Sequence, residues 1–261
     1  MTCAPITSTS PILAEINGDT ALLTINRPPL NILDLATIRL LRSRLEELLN
    51  STVVSVVEIH GTDSVFSAGV EVRDHFPERA PEMLREFHAL IRSVLYAPVP
   101  VIAVVRGHCL GGGMELALAS DFVVAAEQAS FGQPEIRAGC FAPVASVLLP
   151  LLLPGKKALE LLLTGEAISG AEAERLGLVN RVAPVSALDD AVADLRSKLL
   201  AQSPAVLALA RKAARLGSRA SFESALREAE RIYLDELLTT DDAVEGLQAF
   251  VDKRKPEWKG R

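Results

Sequence analysis

The chain has 261 residues, is 49% hydrophobic and carries a formal net charge of −6, which is enough apolar sequence for a sizeable core in one domain, or one domain with an appendage. The acidic balance lacks the basic footprint of a nucleic-acid binder, and the longest apolar runs, such as Ser146 to Pro154, are too short to cross a membrane. Cys3, Cys109 and Cys140 are odd in number and form no C-x-x-C, so a reducing, cytoplasmic protein without disulfides or structural zinc is expected; Met1 to Pro11 has neither the basic nor the apolar region of a signal peptide.

Ile12–Ile16 and Ala21–Ile25 are β-rich runs around Asn17-Gly18-Asp19, a hairpin signal. Asp34 predicts a helix cap, with Ile38, Leu41, Leu45 and Leu48 at helical spacing as far as about Leu49. Val53–Ile59 is a mostly apolar strand, and Phe66 to Glu71 is a turn of small residues. Pro81 opens a second helix whose apolar face is Leu84, Phe87, Ile91 and Val94; Pro98 and Pro100 stop it. Val101–Val105 is a buried strand, Gly107 a turn, Met114–Ala119 a short helix and Phe122–Ala126 another strand. Hairpin followed by β-α-β-α-β argues for a mainly parallel sheet layered with helices. Ala142–Leu153 is apolar and helical, broken or kinked at Pro150. Lys156–Leu163 is a short helix, Ser169-Gly170-Ala171-Glu172 opens another that Gly177 ends, and Leu178–Val182 is a last strand. From Ser186 to Arg254 the pattern is helical, with breaks expected near Ser203-Pro204, Gly217 to Ser221 and Thr239-Thr240. The predicted division is an α/β core over 1–185 and a helical region over 186–261.

The chemistry concentrates in Val101 to Glu135. Three glycines, Gly111, Gly112 and Gly113, stand between a strand and a helix, where bare backbone N–H groups can face an anion. Tight helix–strand packing is the plainer reading of one glycine; three in a row weaken a helix start by roughly 0.5–1 kcal/mol each, which favours a close approach. The turn matches neither G-x-G-x-x-G nor a P-loop. Glu115 lies among Met114, Leu116, Ala117 and Leu118, so its carboxyl is buried or faces a pocket. Glu135, after Gln133-Pro134, would alone be an ordinary loop charge; beside Glu115 it would complete a pair. His60, His75, His88 and His108 have no metal-ligand spacing, so no metal site is expected; His108 is read as structural, and Asp121 as fixing a turn.

Several motifs together resemble the crotonase superfamily, the enoyl-CoA hydratase/isomerase family: FSAGVEV (Phe66 to Val72), GHCLGGGMELALASDFVVA (Gly107 to Ala125), ASFGQPEIRAG (Ala129 to Gly139), LLTGEAISGAEAERLGLVNRV (Leu162 to Val182) and AFVDKRKPEWK (Ala249 to Lys259). The resemblance implies a spiral ββα core with a helical C-terminal trimerisation region. It also implies a homo-trimer or homo-hexamer, an acyl-CoA ligand, and no cofactor beyond the coenzyme A of the substrate. It places an oxyanion hole at the backbone N–H groups of Val70 and Gly112, and a water-activating pair at Glu115 and Glu135. Retention of both glutamates favours hydration over isomerisation, decarboxylation or hydrolysis, and over a non-catalytic CoA-binding role. It further implies coenzyme A contacts along Ser67, Ala68, Gly69, Val70, Gly111 and Gly112, with Arg73 and Lys253 as basic contacts that are otherwise plain surface charges.

One segment departs from the family pattern. Where typical hydratases continue with a glycine-rich G-x-x-P-G-x-G-G-x-x-R-L stretch, Gly139 is followed here by CFAPVASVLLPLLLPG. With FSAGVEVRDHFPE and EFHALIRSV, this segment looks more like the family's hydratases of cyclic dienoyl-CoA esters, which act on cyclohexa-1,5-diene-1-carbonyl-CoA. The alternative is an ordinary enoyl-CoA hydratase of fatty-acid β-oxidation, or an enoyl-CoA isomerase or decarboxylase on the same scaffold.

Overall fold

A computed structural model describes residues 10–261; Cys3 and most of the Met1–Pro11 segment lie outside the described residues. The chain starts with a hairpin, β1 (Ile12–Asn17) and β2 (Thr20–Ile25), in antiparallel register from Ile12↔Ile25 to Asn17↔Thr20. Helix α1 (Leu35–Leu49) follows, capped by Asp34, whose carboxylate accepts from Thr37 N at 2.8 Å. Its apolar spacing holds: Ile38, Leu41, Leu45 and Leu48 are all buried.

Three strand–strand–helix units come next, and they explain the spiral. β3 (Val56–His60) leads to β4 (Val65–Ser67) and α2 (Ala80–Leu95). β5 (Val101–Val105) leads to β6 (His108–Leu110) and α3 (Gly112–Ala119). β7 (Phe122–Ala126) leads to β8 (Ser130–Gly132) and α4 (Pro143–Leu152). In each unit the first strand enters one sheet and the second enters another. After α5 (Gly155–Thr164), β9 (Ile168–Ser169), α6 (Gly170–Arg175) and β10 (Arg181–Ala183), the sheets have orders β1-β2-β3-β5-β7-β10 and β4-β6-β8-β9. From β2 to β10 the larger sheet is parallel, and its strands are continuous apolar runs because both faces are covered. The last strand lies later than the predicted Leu178–Val182.

The C-terminal region is helical, as expected: α7 (Leu188–Leu200), α8 (Pro204–Arg231), a π-helical turn at Ile232–Glu236 and α9 (Asp241–Val251), capped by Thr240. Two expected breaks are absent. Gly217 to Ser221 lies inside one continuous α8; a mid-helix glycine costs only about 1 kcal/mol, and burial of Phe222, Leu226 and Ala229 together with anchored arginines farther up the helix offsets it. Pro150 sits in the last turn of α4; it gives up the one bond its N–H would make to Ser146 O, and the helix runs on to Leu152.

Candidate active site

The two glutamates and the glycine turn converge where the second strands of the units meet. Gly111 N–H donates to Gly132 O at 2.9 Å, so the turn is tied to β8, the strand that leads into the 3₁₀ turn Pro134–Ala138 bearing Glu135. Gly111 has φ +52° and ψ −130°, a region open in practice only to glycine. A β-carbon there would stand 2.4 Å from Glu135 Oε1, so the carboxyl occupies the space that the missing side chain leaves.

Facing this turn is the Phe66–Val70 segment, braced by buried Asn31. Its Nδ2 donates to Val65 O at 2.9 Å and Phe66 O at 3.1 Å, and its backbone carbonyl accepts from Ser67 Oγ at 2.8 Å. Leu33 pairs with Val70 as an isolated parallel bridge: Leu33 N–H donates to Gly69 O and Glu71 N–H to Leu33 O. In that pattern the N–H of Val70 itself points away from Leu33. Gly112, whose N–H belongs to the unpaired first turn of α3, lies on the other side. A β-carbon on Gly69 would be 3.6 Å from Gly112 N, and one on Gly112 would be 2.7 Å from Val70 Cγ2. Two free amides at close quarters, one at a helix N-terminus, form a compact site for negative charge.

Glu115 is buried on α3, and its Oε1 accepts from Ala145 N at 2.8 Å. Ala145 and Val144 lie in the first turn of α4, which has no side-chain cap, so the carboxylate of Glu115 caps it from another helix. This contact is invisible in the sequence, yet it comes from the departing segment: Ala142-Pro143-Val144-Ala145 starts a helix with proline at its first position, and its free N–H groups point back at Glu115.

Burial pushes the Glu115 carboxyl up to about 7, against the pull of the Ala145 and Val144 amides. Burial and then the charge of Glu115 push Glu135 up to about 8. Glu135 Oε2 is enclosed and has no protein partner. Two neighbouring carboxyls whose proton affinities are both raised to around neutrality can exchange acid and base duties.

A small cavity of about 90 Å³ is lined by Ala68, Gly69, Val70, Gly111 and Glu135, with His75, Cys140 and Phe250; Glu115 and Gly112 lie behind this lining rather than in it. Larger cavities lie against α8, away from both glutamates, and chemistry rather than size singles out the small one. Of the other expected contacts, Ser67 is buried and its hydroxyl is used internally, accepting from Gly69 N at 3.1 Å. Arg73 and Lys253 are exposed, and neither lines the cavity. His108 is exposed. Asp121 accepts from Val101 N at 2.9 Å and so fixes its turn. The cavity residues His75, Cys140 and Phe250 escaped sequence reasoning. His75 lies just beyond FSAGVEV and could have been noticed there; its partner Tyr233, 158 residues away, gives no local signal.

The chain is similar to known proteins over nearly its whole length. Residues 15–261 match the enoyl-CoA hydratase/isomerase family model. A cyclohexa-1,5-dienecarbonyl-CoA hydratase of Thauera aromatica is 40% identical over 97% of this chain and 99% of its own. A probable enoyl-CoA hydratase of Rhizobium meliloti strain 1021 is 35% identical over 96% and 98%. The crystal structure of an enoyl-CoA hydratase from Mycobacterium avium subsp. paratuberculosis K-10 superposes with TM-score 0.86 at 27% identity, over 97% of this chain and all of that one. The chain is therefore an enzyme of the hydratase type and belongs to the enoyl-CoA hydratase/isomerase family.

Proposed function

We propose that this enzyme adds water across a carbon–carbon double bond conjugated to a coenzyme A thioester. The observation that carries this reading is the meeting of Glu115 and Glu135 beside the free amides of Val70 and Gly112. The thioester carbonyl lies against the two amides, with the coenzyme A portion along the backbone of Ser67, Ala68 and Gly69 and its phosphates within reach of Arg73 and Lys253. Water held by the two glutamates attacks the β-carbon. One carboxylate takes a proton from the water, electrons move to the thioester oxygen, and the two N–H groups stabilise the enolate; a carboxyl then returns a proton to carbon. Fixed donors aimed at developing charge need no reorganisation, and loss of one typically lowers rate by about 10²–10³. No cofactor is needed beyond the coenzyme A of the substrate.

The acyl group we favour is cyclohexa-1,5-diene-1-carbonyl. Two observations support it: the 40% identity to the Thauera aromatica enzyme of that name, and the helix-forming 142–153 segment in place of a glycine-rich stretch, whose first turn holds Glu115. Attack at the ring carbon β to the thioester gives a dienolate whose charge still reaches the carbonyl oxygen, so the same amides serve. The test is a mass-spectrometric assay with the diene thioester and crotonyl-CoA. A gain of one water on the diene, with crotonyl-CoA poor or inert, is expected. Hydration of crotonyl-CoA alone would replace the cyclic reading with a linear one, and turnover of neither would overturn the hydratase assignment. Glu115→Gln is expected to lower hydration about 10²–10⁴-fold in a folded protein.

A further inference from the structure

A chain of neutral hydrogen-bonding groups runs from behind the cavity to its wall, and none of its members has a part in the mechanism above. Tyr233, on the π-helical turn after α8, is fully buried, and its ring packs edge-on against Phe141 with centroids 5.2 Å apart. Its hydroxyl lies 2.8 Å from His75 Nδ1 and also hydrogen-bonds the Cys140 thiol. Cys140 Sγ in turn lies 3.5 Å from the backbone carbonyl of Glu135. His75 and Cys140 both line the cavity that Glu135 borders.

The carbonyl fixes the direction of the whole chain. A carbonyl oxygen only accepts, so the thiol donates its proton to Glu135 O. The sulfur is then free to accept from the Tyr233 hydroxyl. The phenolic oxygen, having donated, accepts from Nδ1–H of His75. Burial holds the imidazole pKa down to about 4, so the ring is neutral at physiological pH and carries one N–H only. That N–H is on Nδ1, which leaves Nε2 as a lone pair. Nε2 of His88, by contrast, is enclosed without a partner; Nε2 of His75 is not, and His75 borders the cavity. A space of about 90 Å³ is only a few ångströms across, so a hydroxyl group near Glu135 is also near His75.

We propose that His75 is a specificity-determining residue, whose Nε2 accepts a hydrogen bond from a hydroxyl group on the acyl carbon being hydrated or dehydrated. Water in the cavity has two hydrogens: one goes to the base carboxylate, and the other needs an acceptor. His75 supplies it without adding charge, and the hydroxyacyl thioester keeps the same contact. The proposal rests on the acyl-CoA reading of this site.

The test is binding, measured by calorimetry in the Glu115→Gln protein, where turnover is suppressed, with the matched pair 3-hydroxybutyryl-CoA and butyryl-CoA. The parent is expected to prefer the hydroxy compound by roughly tenfold, the upper range for one neutral hydrogen bond. Adding His75→Phe is expected to abolish the preference, and His75→Gln, whose amide oxygen still accepts, to restore part of it. A full preference in the His75→Phe protein overturns the proposal, as does a parent that binds both compounds equally. A parent that binds neither overturns the acyl-CoA reading itself. Should His75→Phe lose butyryl-CoA as well, Tyr233→Phe decides: it keeps both rings but frees the imidazole to move its proton, so the preference must fall, and an undiminished preference overturns the proposal.

Discussion

Gly111 and Glu115 show how single residues balance stability against chemistry. At Gly111 an alanine would meet two obstacles at once: a backbone conformation that L-residues rarely adopt, and the Glu135 carboxylate in the space of its β-carbon. Glu135 can swing away, but the backbone strain remains, at about 1–3 kcal/mol. Gly111→Ala is therefore expected to fold with a lowered melting temperature and to lose at least about 10²-fold in kcat, as measured by steady-state hydration. The glutamates carry a different strain. Both carboxyls bind protons in the folded state that the unfolded chain, with carboxyls near 4.5, has already released. Between about pH 4.5 and 8 the native state thus holds more protons, and stability falls as pH rises. Glu115→Gln keeps an oxygen for the Ala145 N–H and cannot ionise. Its stability relative to wild type is expected to grow from pH 5 to pH 8, by about 1–3 kcal/mol, read from urea unfolding at each pH. Activity moves the other way at the acid limb: the pair must lose one proton to supply a base, so kcat/KM is expected to fall below about pH 7. A variant no more stable at pH 8 than at pH 5 would contradict the raised carboxyls.

At the scale of elements, the long α8 is secured by one carboxylate. Asp121 Oδ2 accepts from Arg211 Nε at 2.6 Å, Oδ1 accepts from Arg215 Nη2 at 2.9 Å, and Oδ2 also takes Val101 N–H. Arg211 further donates to the carbonyls that end α2, among them Val94 O at 3.0 Å. Asp121→Ala strands two largely buried guanidinium groups and a strand-end amide. It is expected to cost about 2–4 kcal/mol, seen as a lower urea midpoint at unchanged m, and to exceed the loss from Arg215→Ala. This latch also shows what the sequence could and could not reveal. Asp121 was legible as a turn residue, because the chain must reverse between α3 and β7; its hold on α8, about 90 residues away, was not. The helical spacing of α1 and α2 and the apolar runs of β3, β5 and β7 were legible, since each buries a face that its own period defines. The smaller sheet was not, because three-residue strands carry no period and are held only by their neighbours. The site divides the same way: Glu115 stood out as a carboxylate in apolar sequence and Glu135 only as its possible partner and through the family resemblance, whereas His75, Tyr233 and Cys140 look like ordinary core or loop residues until the fold stacks them.

The whole molecule leaves apolar side chains in water that a lone chain would be expected to cover. Leu151 and Leu152 at the end of α4, Leu159 and Leu163 on α5, and Val206, Leu209 and Leu216 on α8 are all exposed. Leu152 borders a groove of about 500 Å³ shared with Leu199, Leu207 and Ala214, so part of this surface is continuous from α4 to α8. Patches of this kind mark association sites. Their occupant is expected to be a second copy of the chain, because closed rings of like subunits bury such surfaces and the family resemblance implies a trimer or a dimer of trimers. Light scattering should then give three or six times the chain mass of 27.9 kDa. Leu209→Glu combined with Leu216→Glu places two charges on the exposed face of α8, far in sequence from Glu115 and Glu135, and is expected to shift the particle to smaller masses. Because α8 leads directly into the Tyr233 turn, loosening it should also weaken acyl-CoA binding, while the intrinsic fold of the parallel sheet, seen by circular dichroism, stays intact. A monomeric wild type would refute the association outright, and an unchanged mass in the double variant would move the interface off α8 and onto the exposed leucines of α4 and α5.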